Sequence, residues 1–382
     1  MRRPRFTALF VLLLFALLVV SAQAGTAKPE ANNVKRTARP VLTLAMDGPR
    51  VAYMRTDRRV GVWNVLTGAT SVIKGAYPSK GNFGPGNGEG YGEVAIAGTR
   101  VALITRWVIG NSQESQERLY TAPLGGSAHQ LGSRTLHSTG PQCFECGNPG
   151  FADGSWMAGL VGSGKILAVS TWKSADTVSS GERLRLVTPS GLRTIATGAG
   201  TTVAESADAG HIAVVRSTVA WPADEVGPPT TAPTVGIYSA KGKLLREIAL
   251  NSAAIEVALS GNRLVVLTKT FGQTGGVMST LEVYDWTTGT LVQTWPVAVT
   301  GSWGGILHLV AYGGLAVVEE AQTVHVVEVA TGKDVLIAAT GGDMRDVAIG
   351  PRGMVYADQP DYHGPGKLVF VPMAQLLAVV NQ

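Results

Sequence analysis

Cysteine is nearly absent: 382 residues contain two, in Cys143-Phe-Glu-Cys146, inside a Gly-rich segment. That scarcity excludes a disulfide framework. A zinc site would need two further ligands, and His137 is the only near candidate. Gly147 stands where c-type haem attachment requires histidine. A thioredoxin-like reading lacks its βαβ context. In an oxidising compartment the two are expected to pair as a Cys143–Cys146 disulfide that pins a loop tip.

Charge is sparse as well, at 15% of residues. Lys and Arg number 32 against 27 Asp and Glu. Setting aside Arg2, Arg3 and Arg5 at the extreme N-terminus leaves 29 against 27, with no basic stripe, so a nucleic-acid partner is not expected. No apolar run reaches the ~20 residues of a membrane-spanning helix. Leu9 to Val20 is shorter, follows those arginines and precedes Ser21-Ala-Gln-Ala24, the pattern of a secretory signal peptide over residues 1–24. Cleavage after Ala24 would leave a mature chain that starts at Gly25, lies in the cell envelope or the medium, and keeps no membrane attachment. Residues 25–40, polar with two prolines, read as a linker.

No convincing helix-period segment follows either. The Gly-rich stretch from Gly81 to Gly90 lacks the Gly-Lys-Ser/Thr of a phosphate loop and precedes a strand rather than a helix. Short apolar runs bounded by Gly, Pro, Asn and Asp dominate instead, which is the strand signature.

These runs repeat. Glu93-Val-Ala-Ile-Ala-Gly98-Thr-Arg-Val101-Ala-Leu-Ile104 is an apolar strand, a Gly turn and a second apolar strand. The pattern returns at Leu42–Met54, Trp156–Val169, Ala204–Val215, Ile255–Leu267, Ile306–Val318 and Arg345–Ala357. Second strands start at Val51, Val101, Ile166, Ile212, Leu264, Leu315 and Met354. Seven copies at this spacing predict an all-β chain, a seven-bladed β-propeller of four-stranded antiparallel blades over residues 41–382. Strands are lettered a to d outward from the axis. The b strands are continuous apolar runs, so both faces must be covered, and neighbouring blades would cover them.

Outer hairpins recur too. Val62-Trp-Asn-Val-Leu-Thr-Gly68, Val283-Tyr-Asp-Trp-Thr-Thr-Gly289 and Val326-Val-Glu-Val-Ala-Thr-Gly332 each place Thr-Gly at a tight turn. They resemble the turns between outer strands of WD-repeat and quinoprotein-like propellers, a likeness that spans residues 41–382. For ring closure, the apolar segment Gln375–Val380 is the first candidate for the outer strand of the last blade. Residues 33–40 are the alternative.

Connections b–c (Ile109–Glu117, Lys173–Gly181, Ser217–Pro233, Thr270–Ser279, Asp358–Gly366) and d–a (Tyr77–Gly92, Ser133–Gly154) are long, and they share one face, called the top. Binding usually resides on such loops. Strand a begins on that face nearest the channel. Its equivalent positions hold Thr43, Glu93, Met157, Glu205, Glu256 and His308, with Asp346 one residue nearer the turn. The carboxylates and imidazole read either as a polar ring for a cation, with calcium as the hard-ion alternative, or as stitches that accept backbone N–H groups between blades. Trp107, Trp172 and Trp221 approach the same face and suit a sugar or peptide groove, or cap gaps between blades. Of the histidines, His308, His363 and His137 remain for chemistry. The expected function is non-catalytic binding of a protein or glycan at the top face by a monomer. The alternative is an enzyme at the channel mouth: a lactonase, a lyase or a quinone-dependent dehydrogenase.

Overall fold

A computed structural model describes residues 33–75, 92–108, 114–138, 152–175, 178–198, 201–217, 233–252, 254–271, 277–297, 307–320, 323–339, 346–359 and 364–382. These form a seven-bladed β-propeller of four-stranded antiparallel blades. After β1 (Val34–Thr37), blade 1 comprises β2 (Val41–Asp47), β3 (Arg50–Arg55), β4 (Val60–Asn64) and β5 (Thr70–Val72). Blade 2 comprises β6 (Gly92–Ala97), β7 (Arg100–Val108), β8 (Glu114–Pro123) and β9 (His129–Ser138). Blade 3 comprises β10 (Ala152–Ser163), β11 (Ile166–Ala175), β12 (Val178–Thr188) and β13 (Gly191–Gly198). Blade 4 comprises β14 (Thr201–Asp208), β15 (His211–Ser217), β16 (Thr234–Ser239) and β17 (Leu244–Ala249). Blade 5 comprises β18 (Ala254–Ser260), β19 (Arg263–Phe271), β20 (Val277–Asp285) and β21 (Thr290–Val297). Blade 6 comprises β22 (Leu307–Tyr312), β23 (Leu315–Glu320), β24 (Thr323–Glu328) and β25 (Asp334–Ala339). Blade 7 holds β26 (Val347–Gly350), β27 (Gly353–Asp358) and β28 (Gly366–Pro372), and helix α1 (Met373–Val380) ends the chain.

The a–b turns explain the repeated glycine. Gly48, Gly98, Gly164, Gly210, Gly261 and Gly313 all sit at positive φ, a conformation costly for any residue with a Cβ. Each turn therefore reverses the chain at a fixed place and sets the register of its hairpin.

The core is divided among the seven seams between blades. Val51 and Tyr53 of β3 face blade 7, where they meet Val355, Leu368 and Phe370. Ala52 and Met54 of the same strand face blade 2, where they meet Val94, Ile96, Val101 and Leu103. The remaining seams repeat this arrangement around the ring. Alternate side chains of one strand thus belong to different interfaces, which is why the b strands are apolar at consecutive positions.

Closure differs from the first expectation. The outer strand of blade 7 is β1, which pairs with β28 from Val34↔Val369 to Thr37↔Gly366. Part of the segment read as a linker is therefore a strand. Residues 375–380 lie in α1, whose Leu376 and Val380 bury one turn apart in the seam between blades 6 and 7. That i, i+4 spacing serves a helix. Gln359, almost fully buried, locks the seam between blades 7 and 1: Val41 N–H donates to its Oε1 at 2.7 Å and its Nε2 donates to the Val41 carbonyl at 3.0 Å.

Three top connections are also less loop-like than the sequence suggests. The β7–β8 hairpin remains paired to Val108↔Ser115, β11–β12 to Ala175↔Val178, and β19–β20 to Phe271↔Val277. The paired extensions mix polar and aromatic residues. Beyond the ring, β9 also pairs with β10 from Leu136↔Gly154 to Ser138↔Ala152. Blades 2 and 3 thereby merge into one eight-stranded sheet.

Candidate functional site

The channel mouth is built from the starts of the inner strands. Glu93 follows the first residue of β6, Glu256 is third in β18, His308 is second in β22, and Asp346 immediately precedes β26. Glu205 lies in the middle of β14. The ring is of two kinds.

Glu93 and Asp346 are tied to the next blade. Leu160 N–H donates to Glu93 Oε2 at 2.8 Å. A bulge in β10 between Ala158 and Val161 releases that N–H from the ladder. Leu44 N–H of blade 1 donates to Asp346 Oδ2 at 2.6 Å, and Val347 N–H donates to Oδ1 at 2.8 Å. The Thr43 hydroxyl also bonds to this carboxylate, and His308 Nε2 lies 3.1 Å from Oδ1. Burial raises the Asp346 pKa, and His308 and the bonded N–H groups restrain the rise. The same stitching recurs on the bottom face, where Gly98 N–H donates to Asp47 Oδ2 at 2.6 Å and Gly164 N–H to Oδ1 at 3.0 Å.

Glu205, Glu256 and Glu319 are of the other kind. Neither Glu205 oxygen has a well-formed hydrogen bond among the described residues. Its side chain lies against Gly159, where a Cβ would stand 2.8 Å from the carboxyl carbon. Burial pushes its pKa well above the ordinary value; the Ser170 hydroxyl opposes that shift, and Glu182 and Glu93 reinforce it. Burial likewise raises Glu256 to about 7; His308 opposes that shift, and Asp346 and Glu93 reinforce it. Glu319 has no exposed surface, and both its oxygens lack a partner among the described residues. Burial, then Asp346 and Glu320, raise it to about 9. Glu319 was not anticipated: it ends an apolar run in β23, and only the register His308↔Glu319 brings it to the ring.

A buried ion pair was missed for the same reason. Arg216 Nε donates to Glu182 Oε2 at 2.8 Å and Nη1 donates to the Tyr238 hydroxyl at 2.6 Å, joining blade 3 to blade 4. Glu182 is fully buried, and Gly198 leaves space for the pair, since a Cβ there would stand 2.4 Å from Arg216 Nε. Arg216 also sits over its partner's ring, 5.1 Å from the Tyr238 centroid.

The aromatic candidates separate. Trp107 lies in the upper part of β7, opposite Gln116. Trp172 lies in the upper part of β11, opposite Trp156, which the sequence reading passed over. Trp221, Cys143, Cys146, His363, Arg345 and the Gly81–Gly90 stretch lie outside the described residues. His137 is opposite Asp153 and Glu114 in the β9 register. His211 rests on Trp286 with ring centroids 4.8 Å apart, and His325 bonds Asp334 at 2.9 Å, both away from the channel. Among the described residues no three His, Cys, Asp or Glu side chains are grouped to hold a metal ion. Calcium therefore has no cage in the described part of the ring.

No family model matches the sequence, and no curated protein matches it. Solved structures do. The chain is similar to the Cps50 (Swd1) β-propeller domain of Myceliophteria thermophila, with TM-score 0.53, 11% identity, and coverage of 88% of this chain and 99% of that one. It is also similar to BamB of Moraxella catarrhalis (TM-score 0.44, 12% identity, 87% and 85% covered). The computationally designed Ika8 protein gives 0.45 and 13%, with 88% and 98% covered. At these identities the likeness is one of fold, and it agrees with the sheet topology: the chain is a seven-bladed β-propeller whose neighbours include WD-repeat-like domains.

Proposed function

We propose that this chain is an extracytoplasmic, non-catalytic propeller that binds a protein on its top face. The observation that carries this reading is the merger of blades 2 and 3. Their strands reach 10 to 12 residues in β8 to β12, against six or seven in β2, β3, β22 and β23. Four or five extra residues add roughly 15 Å at about 3.3 Å per residue. The surplus rises on one face as a sheet with two-sided ladders, a rigid support for recognition beside the channel mouth. Glu93 and Asp346, which an active site would need free, are committed to neighbouring blades.

The signal-peptide pattern of residues 1–24 supports export, and a monomer is the expected state. The test is photo-crosslinking in the producing cell, with benzoylphenylalanine placed at Val108 or Ala175 on the hairpin arms and at Leu66, which is exposed on the opposite face. A discrete protein conjugate from the arms and none from Leu66 is expected. Equal capture from both faces, or none from the arms, would overturn the reading, and a chain found in the cytoplasm with residues 1–24 intact would overturn export.

A further inference from the structure

We infer that the partner on the top face presents a lysine or arginine side chain that enters the channel mouth between Glu256 and His308 and is held by Glu256 and Glu319. This deepens the top-face reading and rests on it. Three observations carry it.

First, the acidic groups here are unequal. Asp346 spends both oxygens on backbone N–H groups, whereas Glu319 has no partner among the described residues for either oxygen. A carboxyl group with no exposed surface and no donor is costly, and its retention calls for a partner or a role that offsets the cost. Second, the orientation is set by register. Glu319 stands directly opposite His308 on the β22–β23 ladder, so the two share a face, and His308 contacts Asp346 from that face. The unpartnered carboxyl is therefore aimed into the cluster. Third, the cluster has a way in. The His308 side chain is 34% exposed and Glu256 is partly exposed, so these two form the rim over the buried Glu319 and Asp346.

The ligand class follows from geometry. A bare calcium ion requires about six to eight oxygens at roughly 2.3–2.6 Å, and no described trio of side chains is so grouped. An ammonium or guanidinium carries several N–H donors on one charge and can bridge carboxylates held farther apart. The charged groups that act on Glu256 and Glu319 are Glu93, His308, Asp346 and Glu320. Binding would expel protons from Glu256 and Glu319 as their carboxylates pair with it.

The test is calorimetric titration of the mature chain at pH 7 with acetyl-Gly-Lys-Gly-amide and acetyl-Gly-Arg-Gly-amide, in buffers of different ionisation enthalpy. Saturable binding with net proton release is expected. Glu256→Gln should weaken it at least tenfold and reduce that release, and Glu319→Gln should do the same while melting no lower than wild type. Spermidine serves as the control for a free polyamine. If spermidine binds and the peptides do not, a protein side chain is not the ligand and the inference is overturned. It also fails if the peptides give no proton-linked heat, or if both Gln variants bind as wild type does. In those cases, continued cross-linking through the hairpin arms would leave the top-face reading standing; loss of both signals would remove both.

Discussion

Glu319 is the residue whose behaviour runs against ordinary expectation. Its carboxyl has no exposed surface, and burial, with Asp346 and Glu320 nearby, raises its pKa from 4.5 to about 9. A value raised in the folded state means that the native chain binds more protons than the unfolded one. The contribution is full below pH 4.5 and is lost as pH rises through about 9. Glu256, raised to about 7, adds the same sign over a lower window. The melting temperature of the chain should therefore fall from mildly acid to alkaline pH. Glu319→Gln, isosteric with the protonated acid, removes the need to take up a proton at pH 7. It should raise stability by up to about 3 kcal/mol. The melting temperature would then rise by roughly 5 °C at pH 7, with little change at pH 4. A lower melting temperature for this variant at pH 7 would show that Glu319 is ionised and paired.

At the scale of elements, the two chain ends have different tasks. β1 contributes few buried side chains, since Val34 and Lys35 are half-buried and Arg36 is exposed. It does cover the open edge of β28, and an uncovered edge templates pairing with another chain. A chain starting at residue 40 should therefore associate, visible as a mass shift in size-exclusion light scattering, and should lose thermal stability. α1 adds no strand to a sheet. Its removal by truncation after Met373 exposes the seam around Leu376 and Val380, both nearly fully buried. At about 1.5–3 kcal/mol per large aliphatic side chain the cost is roughly 3–6 kcal/mol. The shortened chain should melt earlier yet remain monomeric. Association of this second truncation, or none of the first, would reverse the assignment of closure to β1.

For the molecule as a whole, the division of the core into seven inter-blade clusters makes each blade depend on both neighbours. Opening one seam uncovers apolar surface on two blades, so opening should propagate around the ring. Amide exchange in the b strands of all seven blades should then merge into one denaturant-dependent isotherm. Blades 2 and 3, joined by the β9–β10 ladder, are the sharpest place to look. A separate, slower isotherm for those two blades would mean that the eight-stranded sheet is an independent unit.

Much of this was legible in the residues alone, because the seam chemistry is local and repeats. An apolar strand, a tight turn with glycine at positive φ in six of the seven blades, and a second apolar strand determine the inner hairpins, and seven hairpins determine the ring. Glu93, Glu205, Glu256, His308 and Asp346 could be placed at the mouth by counting back from those turns. Other features depend on contacts that spacing does not carry. The Val34–Thr37 strand is polar because an edge strand has only one partner, and so it reads as a linker. The upper hairpins interrupt the apolar runs with polar residues, and so they read as loops. Which carboxylates are bound and which are left without donors depends on where the next blade's N–H groups fall: Leu44 N–H reaches Asp346 and a bulge delivers Leu160 N–H to Glu93. Sequence determined the blades and their number; only the tertiary structure decided how the ring closes and which of its carboxyl groups lack donors, because both follow from how one blade faces another.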